Sequence, residues 1–283
     1  MVKFVRLNPG WHAGQDTTPY GTAPHGPADG LSQECNGVLL QLPRVRSSAP
    51  FYMSRPPRRD LSAATEARSQ YDIDCRRCPR LATFLDEVHE ANPNYFCRPV
   101  PPFGDQLARL VIVGLAPGMH GANASGRPFT GDYAGILLYA TLFKFGFSTR
   151  PASSGVDDGL RLVGARITNA VKCLPPGNKP LPEEIRNCNG YLATELASLP
   201  DGAAILALGH IAHDATLRAL GLPSRDHPFA HGGHHPLARG ACLFDSYHCS
   251  RYNTNTRRLT TDMFESVFVS IAHHLGGGAC RAA

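Results

Sequence analysis

Long apolar runs are missing from this 283-residue chain. No stretch is long enough to span a bilayer, and none pairs an apolar segment with a small-residue cleavage site. Membrane spans and a secretory signal are therefore not expected, and a cytoplasmic address (bacterial cytosol or nucleoid) is. In that compartment the nine cysteines are poor candidates for disulfides. Metal ligation or plain buried thiols are the better reading. No internal repeat is present, which argues against a solenoid. The G-x-G-x-x-G spacing of a dinucleotide-binding loop is absent too, which counts against a nucleotide-linked electron carrier. A sustained hydrophobic period is lacking from residue 1 to about 59, where Gly, Pro and Thr dominate. Residues 1–60 read as a flexible or irregular extension, with GVLLQL (37–42) its one candidate strand or helical turn.

Residues 61–283 read as a single domain with strands alternating with helices. The strands are the apolar run Leu110–Val113, Ala165–Val171, Ala203–Leu208 and Ala241–Ser246. Helices are expected from Leu61 with Asp60 as N-cap, through Leu81, Phe84, Leu85 and Val88, and over 181–199, 211–220 and 261–275. This alternation predicts a three-layer α/β/α fold around a four-stranded, mostly parallel sheet.

The stretch from Gly114 to Gly135 contains six glycines and two prolines. It links the first strand to a helix resuming at Ile136, and it is far longer than an ordinary strand-to-helix loop. In an open α/β sheet such a loop lies at the carboxyl end of a strand, where ligands bind. The net charge of +5 is moderate, with basic clusters at 54–60, 76–80 and 251–258. They suit an anionic partner without establishing one. Cys75 and Cys78 form a C-x-x-C, while Cys173 and Cys188 form a C-x14-C. That spacing is compatible with zinc or with an iron–sulfur cluster, and a lone C-x-x-C also serves redox chemistry. Cys35, Cys97, Cys242, Cys249 and Cys280 read as buried or surface thiols, with Cys97 the one alternate ligand. HPFAHGGHHPLARG (227–240) is His-rich and open to adventitious metal binding, with no assigned role.

Three separated motifs carry a resemblance. GLAPG, HGAN and SGRPFTGD in the glycine-rich loop, TNAVKCLPPGNKPLPEEIRNC (168–188) and SYHCSRYNTNTRRLT (246–260) resemble those of family 5 (type B) uracil-DNA glycosylases, in the same order and over roughly Cys75 to Leu275. The resemblance implies a monofunctional DNA glycosylase that flips and excises uracil, together with hypoxanthine, xanthine and some bulky pyrimidine lesions. It also implies a [4Fe–4S] cluster on Cys75, Cys78, Cys173 and Cys188. Phe129 would stack on the base, and His248 would hydrogen-bond its carbonyl oxygen and stabilise the leaving anion. Asn169 would position base or water, and Asn123 would lie near the sugar. Gly114, Ala116 and Gly118 would pass close to the base, and Asn253 would support His248 or the DNA backbone.

The sequence departs from related motifs at two places. Leu115 stands where many relatives carry a water-activating carboxylate, and Cys249 follows His248 where the family usually has Pro. Asp132 is the nearest carboxylate in the loop, and it could equally cap the next helix. Leaving-group stabilisation is therefore expected to contribute most. No Tyr precedes Phe129 to exclude larger bases. Arg251, Arg257 and Arg258, with Tyr252 among them, suit phosphate contact and insertion into a duplex. The expected substrate is double-stranded, and in addition single-stranded, DNA bound by a monomer. The rival readings are a cluster-bearing electron carrier and a catalytically silent DNA-binding module.

Overall fold

The apolar runs at 110–114 and 204–208, flanked by the more mixed strands at 165–169 and 242–246, become four parallel neighbours covered on both faces. In the computed structural model of the chain, residues 71–280 are described. The expected extension at 1–60, the segment 37–42, the basic cluster 54–60, Cys35 and the helix starting at Leu61 lie outside them. The central strands are β2 (Leu110–Gly114), β3 (Ala165–Asn169), β4 (Ala204–Leu208) and β6 (Cys242–Ser246). Two short edge strands, β1 (Phe103–Gly104) and β5 (His234–Pro236), extend the expected four strands to six, in the order β1-β3-β2-β4-β6-β5. Both edges run antiparallel, β1 to β3 and β5 to β6. They are too short to show a hydrophobic period, so the sequence does not reveal them. β3 stops at Asn169, two residues before the predicted Val171.

Alternation of side chains along each strand builds two cores. Leu110, Ile112, Ile167, Leu206 and Phe244 face α3 (Tyr133–Lys144) and α7 (Thr261–Leu275), which contribute Leu138, Leu142, Phe264, Phe268 and Ile271. Val111, Val113, Ile205, Ala207 and Leu243 face α4 (Pro182–Ala197) and α5 (His210–Leu220), which contribute Leu192, Leu196, Ala212, Ala215 and Leu217. The Thr260 hydroxyl caps α7 by accepting the Met263 N–H at 3.2 Å. No described helix is long and apolar enough to cross a membrane.

The amino-terminal helix α1 (Pro79–Ala91) packs Leu81 against Val171 and Tyr191, and Leu85 and Val88 against Leu174. Arg80 clamps it to the start of α4, donating from Nε and Nη2 to the two Glu184 carboxylate oxygens at 2.8 and 2.7 Å. The basic cluster at 76–80 is thus engaged internally, with Arg76 paired to Asp86 and Arg77 lying over the Tyr191 ring.

A disulfide joins Cys242 to Cys280, correcting the expectation that both are thiols. The segment after α7 brings Cys280, 38 residues away in sequence, beside Cys242 on β6. Nothing in the spacing announces that pairing.

Candidate active site

The carboxyl ends of β2, β3 and β6 open into one cleft of about 440 Å³, lined by Leu115, Ala116, Phe129, Asp132, Asn169 and His248 among others. Sheet register brings Gly114 directly beside Asn169. A side chain on Gly114 would overlap both the Asn169 amide oxygen and the Phe129 ring. Only glycine lets the two close on the strand end.

The segment Arg127-Pro128-Phe129 is fixed from behind. Arg127 is buried and donates to Asp158 at 2.8 Å and to the Ser153 hydroxyl at 3.0 Å. That pairing, with three backbone N–H donors, holds the Asp158 carboxyl well below the usual range despite its burial. The Tyr139 hydroxyl donates to the Pro128 carbonyl at 2.8 Å. Phe129 is then held at φ 58°, a region that non-glycine residues seldom occupy and that clusters at functional sites. Its ring stacks against that of His248, centroids 6.0 Å apart and planes 25° from parallel.

His248 follows β6 and presents its ring to the cleft. The Asn253 amide donates to the His248 carbonyl at 2.8 Å. Asn253 itself belongs to the short helix α6 (Arg251–Asn255), which Ser250 caps. Although one side of the His248 ring meets the cleft, its other surroundings desolvate it and lower its pKa to about 4. At neutral pH the ring is uncharged and carries one N–H donor. Cys249, next in the chain, is an inert buried thiol with its pKa pushed up to about 12 by desolvation.

Asp132 stands at the N-cap position of α3, yet its side chain does not cap that helix. It turns into the glycine-rich loop, where it accepts the Ala122 N–H at 3.1 Å. Side chains on Gly118 or Gly121 would overlap this carboxylate. Burial raises the pKa of Asp132, against the lowering effect of the Ala122 and Gly118 N–H groups. Among the described residues it is the one carboxylate lining the cleft. Asn169 is buried at the end of β3, and its amide has no protein hydrogen bond among the described residues.

Other expected site residues fall elsewhere. The Asn123 amide donates to Cys97 Sγ at 3.4 Å, on the short helix α2 (Ala122–Ser125). Its side chain is fully buried and does not line the cleft. Arg251 reaches the cleft rim, its guanidinium 4.9 Å from the centre of the Tyr133 ring. Arg258 lies over Tyr247 at 4.7 Å, and Arg257 is exposed on the same turn. Tyr133, Asn178 and Ser250 line the cleft without having been singled out in the sequence. Position in a motif-bearing loop was their only signal.

Cys75, Cys78, Cys173 and Cys188 line one apolar cavity between α1 and α4, together with Leu81, Val171 and Tyr191. Cys97 is outside that lining, its sulfur engaged with Asn123. Burial raises the pKa of Cys78, Cys173 and Cys188, and the other three cysteines add to the rise at Cys173. Four thiols gathered this way need a cationic centre to become thiolates. Tetrahedral zinc with bonds of about 2.3 Å would hold its sulfurs about 3.8 Å apart. Four thiolates suit either a tetrahedral zinc or an iron–sulfur cluster. The Lys172 N–H and the Asn187 amide donate to Cys188 and Cys78 sulfurs at 3.3 and 3.7 Å. The buried Tyr191 hydroxyl has no hydrogen-bond partner among the described residues and lines the same cavity.

A profile of the Uracil DNA glycosylase superfamily matches residues 101–271. The type-5 uracil-DNA glycosylase of Thermus thermophilus is 49% identical over 75% of this chain and 98% of its own length. That of Pyrobaculum aerophilum is 40% identical over 77% of this chain and 99% of its own length. A type-4 uracil-DNA glycosylase of Archaeoglobus fulgidus is 34% identical over 50% of this chain and 57% of its own length.

Proposed function

Because the chain belongs to the Uracil DNA glycosylase superfamily, on the type-5 side, we propose that it hydrolyses the N-glycosidic bond of uracil in DNA, using the cleft at the ends of β2, β3 and β6. The observation that carries this reading is the convergence there of Phe129, Asp132, Asn169 and His248 from three separate motifs.

The target nucleotide leaves the stack and its base enters the cleft against Phe129. Asn169 offers an unengaged amide to the base edge. As the bond to C1′ lengthens, the sugar gains oxocarbenium character and the base gains negative charge. Neutral His248 donates its N–H toward the charged base oxygen. A donor already desolvated and aimed needs no reorganisation as that charge develops. Asp132 accepts a hydrogen bond from the water that adds to C1′ and takes its proton. Its raised pKa makes it a better base than an exposed carboxylate. Leu115 supplies no proton acceptor, so among the described residues the task falls to Asp132 alone.

The roomy cleft and the absence of a blocking Tyr before Phe129 support acceptance of hypoxanthine and xanthine as well. Arg251, Arg257 and Arg258 grip the phosphates of double-stranded and single-stranded DNA. The enzyme acts as a monomer in the cytoplasm in this proposal. Cys75, Cys78, Cys173 and Cys188 would hold a [4Fe–4S] cluster, whose contribution when bound is to tie α1 and α4 to the segment after β3.

Release of free base from a defined duplex containing one uracil tests the proposal, and hypoxanthine tests its breadth. Uracil release with an intact abasic product is the expected result. Retention of uracil at stoichiometric enzyme would overturn the reading in favour of a silent DNA-binding module.

A further inference from the structure

The His-rich segment 227–235 has no part in the chemistry above, yet it folds onto the strand that leads to His248. The Gly232 N–H donates to the Asp245 carbonyl at 2.9 Å, and the Asp245 N–H donates to the Gly233 carbonyl at 3.0 Å. His235 pairs with Leu243 across the β5–β6 edge. This register sets the His235 ring against the Asp245 carboxylate, with Nε2 at 2.9 Å from one oxygen. From the opposite side α5 delivers His213, with Nδ1 at 2.7 Å from the other oxygen. Asp245 and His213 are fully buried and His235 nearly so. No backbone N–H, lysine or arginine reaches this carboxylate among the described residues, so two imidazoles are its whole polar company.

The protons decide what such a trio can hold. His213 Nε2 lies 2.8 Å from the His227 carbonyl, which can only accept, so Nε2 carries the hydrogen. With Nε2 so engaged, Nδ1 meets the carboxylate oxygen through either a second proton or a metal ion held between them. A backbone carbonyl accepting from the far nitrogen is also what metal-binding histidines commonly have.

We infer that His213 Nδ1, His235 Nε2 and the Asp245 carboxylate form a binding site for a divalent transition-metal ion of the zinc class. All three donor atoms lie within 4.8 Å of one another. Zinc–nitrogen bonds of about 2.0–2.1 Å place tetrahedral ligands about 3.3 Å apart, so the nitrogen–oxygen contacts of 2.7 and 2.9 Å lengthen to admit the ion. Two imidazoles and one carboxylate favour zinc over calcium or magnesium, which take oxygen ligands. The fourth position falls to water or to the His227 ring, whose centre is 5.6 Å from that of His235. A side chain on Gly233 would collide with the Ala230 carbonyl at 2.9 Å, the backbone that carries the His-rich segment past Asp245 and His235. The site is structural: it fastens the His-rich segment and α5 to β6 just before His248.

The test uses full-length, untagged protein stripped with chelator and titrated with zinc and with cobalt(II). One cobalt ion per chain should give the visible bands of tetrahedral nitrogen–oxygen ligation. It should lack the near-ultraviolet thiolate bands that binding at the four cysteines would produce. Zinc should raise the thermal midpoint. His213→Gln and His235→Gln, close in size to the parent, should each weaken uptake by about tenfold or more. Wild-type protein that binds neither metal overturns the inference, leaving a buried imidazolium–carboxylate pair. So does uptake that shows only thiolate bands and is unchanged in both variants. Neither outcome touches the glycosylase proposal, because uracil release is not the readout.

Discussion

The ring of His248 stacks against that of Phe129 at 6.0 Å, so the proposed leaving-group donor and the proposed base platform share one wall of the cleft. This stacking contributes to the desolvation that keeps His248 neutral. A fixed neutral donor beside an apolar face is a different device from a protonated histidine, and its pH behaviour differs accordingly.

With its pKa lowered to about 4, His248 should not titrate between pH 8 and pH 5 in the folded protein. The ordinary value near 6.5 applies when the chain unfolds, so between about 6.5 and 4 the unfolded state binds the extra proton. This group therefore costs stability as pH falls through that window and costs none above it. An NMR titration of the ring should show a midpoint near 4. Any acid loss of cleavage rate above that midpoint belongs to Asp132, whose pKa is raised. A His248 midpoint at 6.5 or higher would remove the neutral-donor assignment.

Gly121→Ala should reduce cleavage with little change in DNA affinity. A side chain there collides with the Asp132 carboxylate rather than with the phosphate-facing surface. A misplacement of about 1 Å can cost about a hundredfold in rate, so a loss of that order is expected in single-turnover cleavage. Normal cleavage by a folded Gly121→Ala protein would show that the position of Asp132 is unimportant.

Protein made anaerobically should be brown, with iron bound, and Cys75→Ser or Cys188→Ser should lose iron and solubility. Stoichiometric zinc at these cysteines with no iron would contradict a cluster. Arg80→Ala removes the clamp on buried Glu184 and should lower stability by about 1–3 kcal/mol, the usual cost of losing hydrogen bonds to a charged group. Denaturant unfolding of the iron-loaded protein measures it.

Each of Arg251→Ala, Arg257→Ala and Arg258→Ala should weaken binding across sequences if the side chain meets a phosphate. Removing one phosphate-binding guanidinium should reduce the magnitude of the salt slope by roughly one. An unchanged slope in all three variants would take this turn out of the DNA interface.

The parallel core was legible because β2, β4 and β6 are short apolar runs bounded by glycine or polar residues, and such runs suit strands buried on both faces. The glycine-rich loop was legible by its length. The edge strands at 103–104 and 234–236 were not, since two or three residues carry no period. Asp132 shows a sharper limit: a helix N-cap and a cleft carboxylate look the same in sequence, and only the backbone path through Gly118 and Gly121 separates them. Asn123 and Asn169 were indistinguishable polar residues until the fold turned one to Cys97 and the other to the cleft. His213, His235 and Asp245 meet only through α5 and the β5–β6 pairing, across 32 residues, which no local pattern encodes.

Single-turnover cleavage of a uracil-containing duplex by His248→Ala, measured beside its DNA affinity, tests the proposed chemistry most directly. If the His248 hydrogen bond carries most of the leaving-group stabilisation, the rate should fall on the order of a hundredfold to a thousandfold. Affinity should hardly change, because phosphate contacts dominate it. Near-normal cleavage by His248→Ala, with Asp132→Asn inactive, would contradict this account and leave water activation by Asp132 as the dominant step.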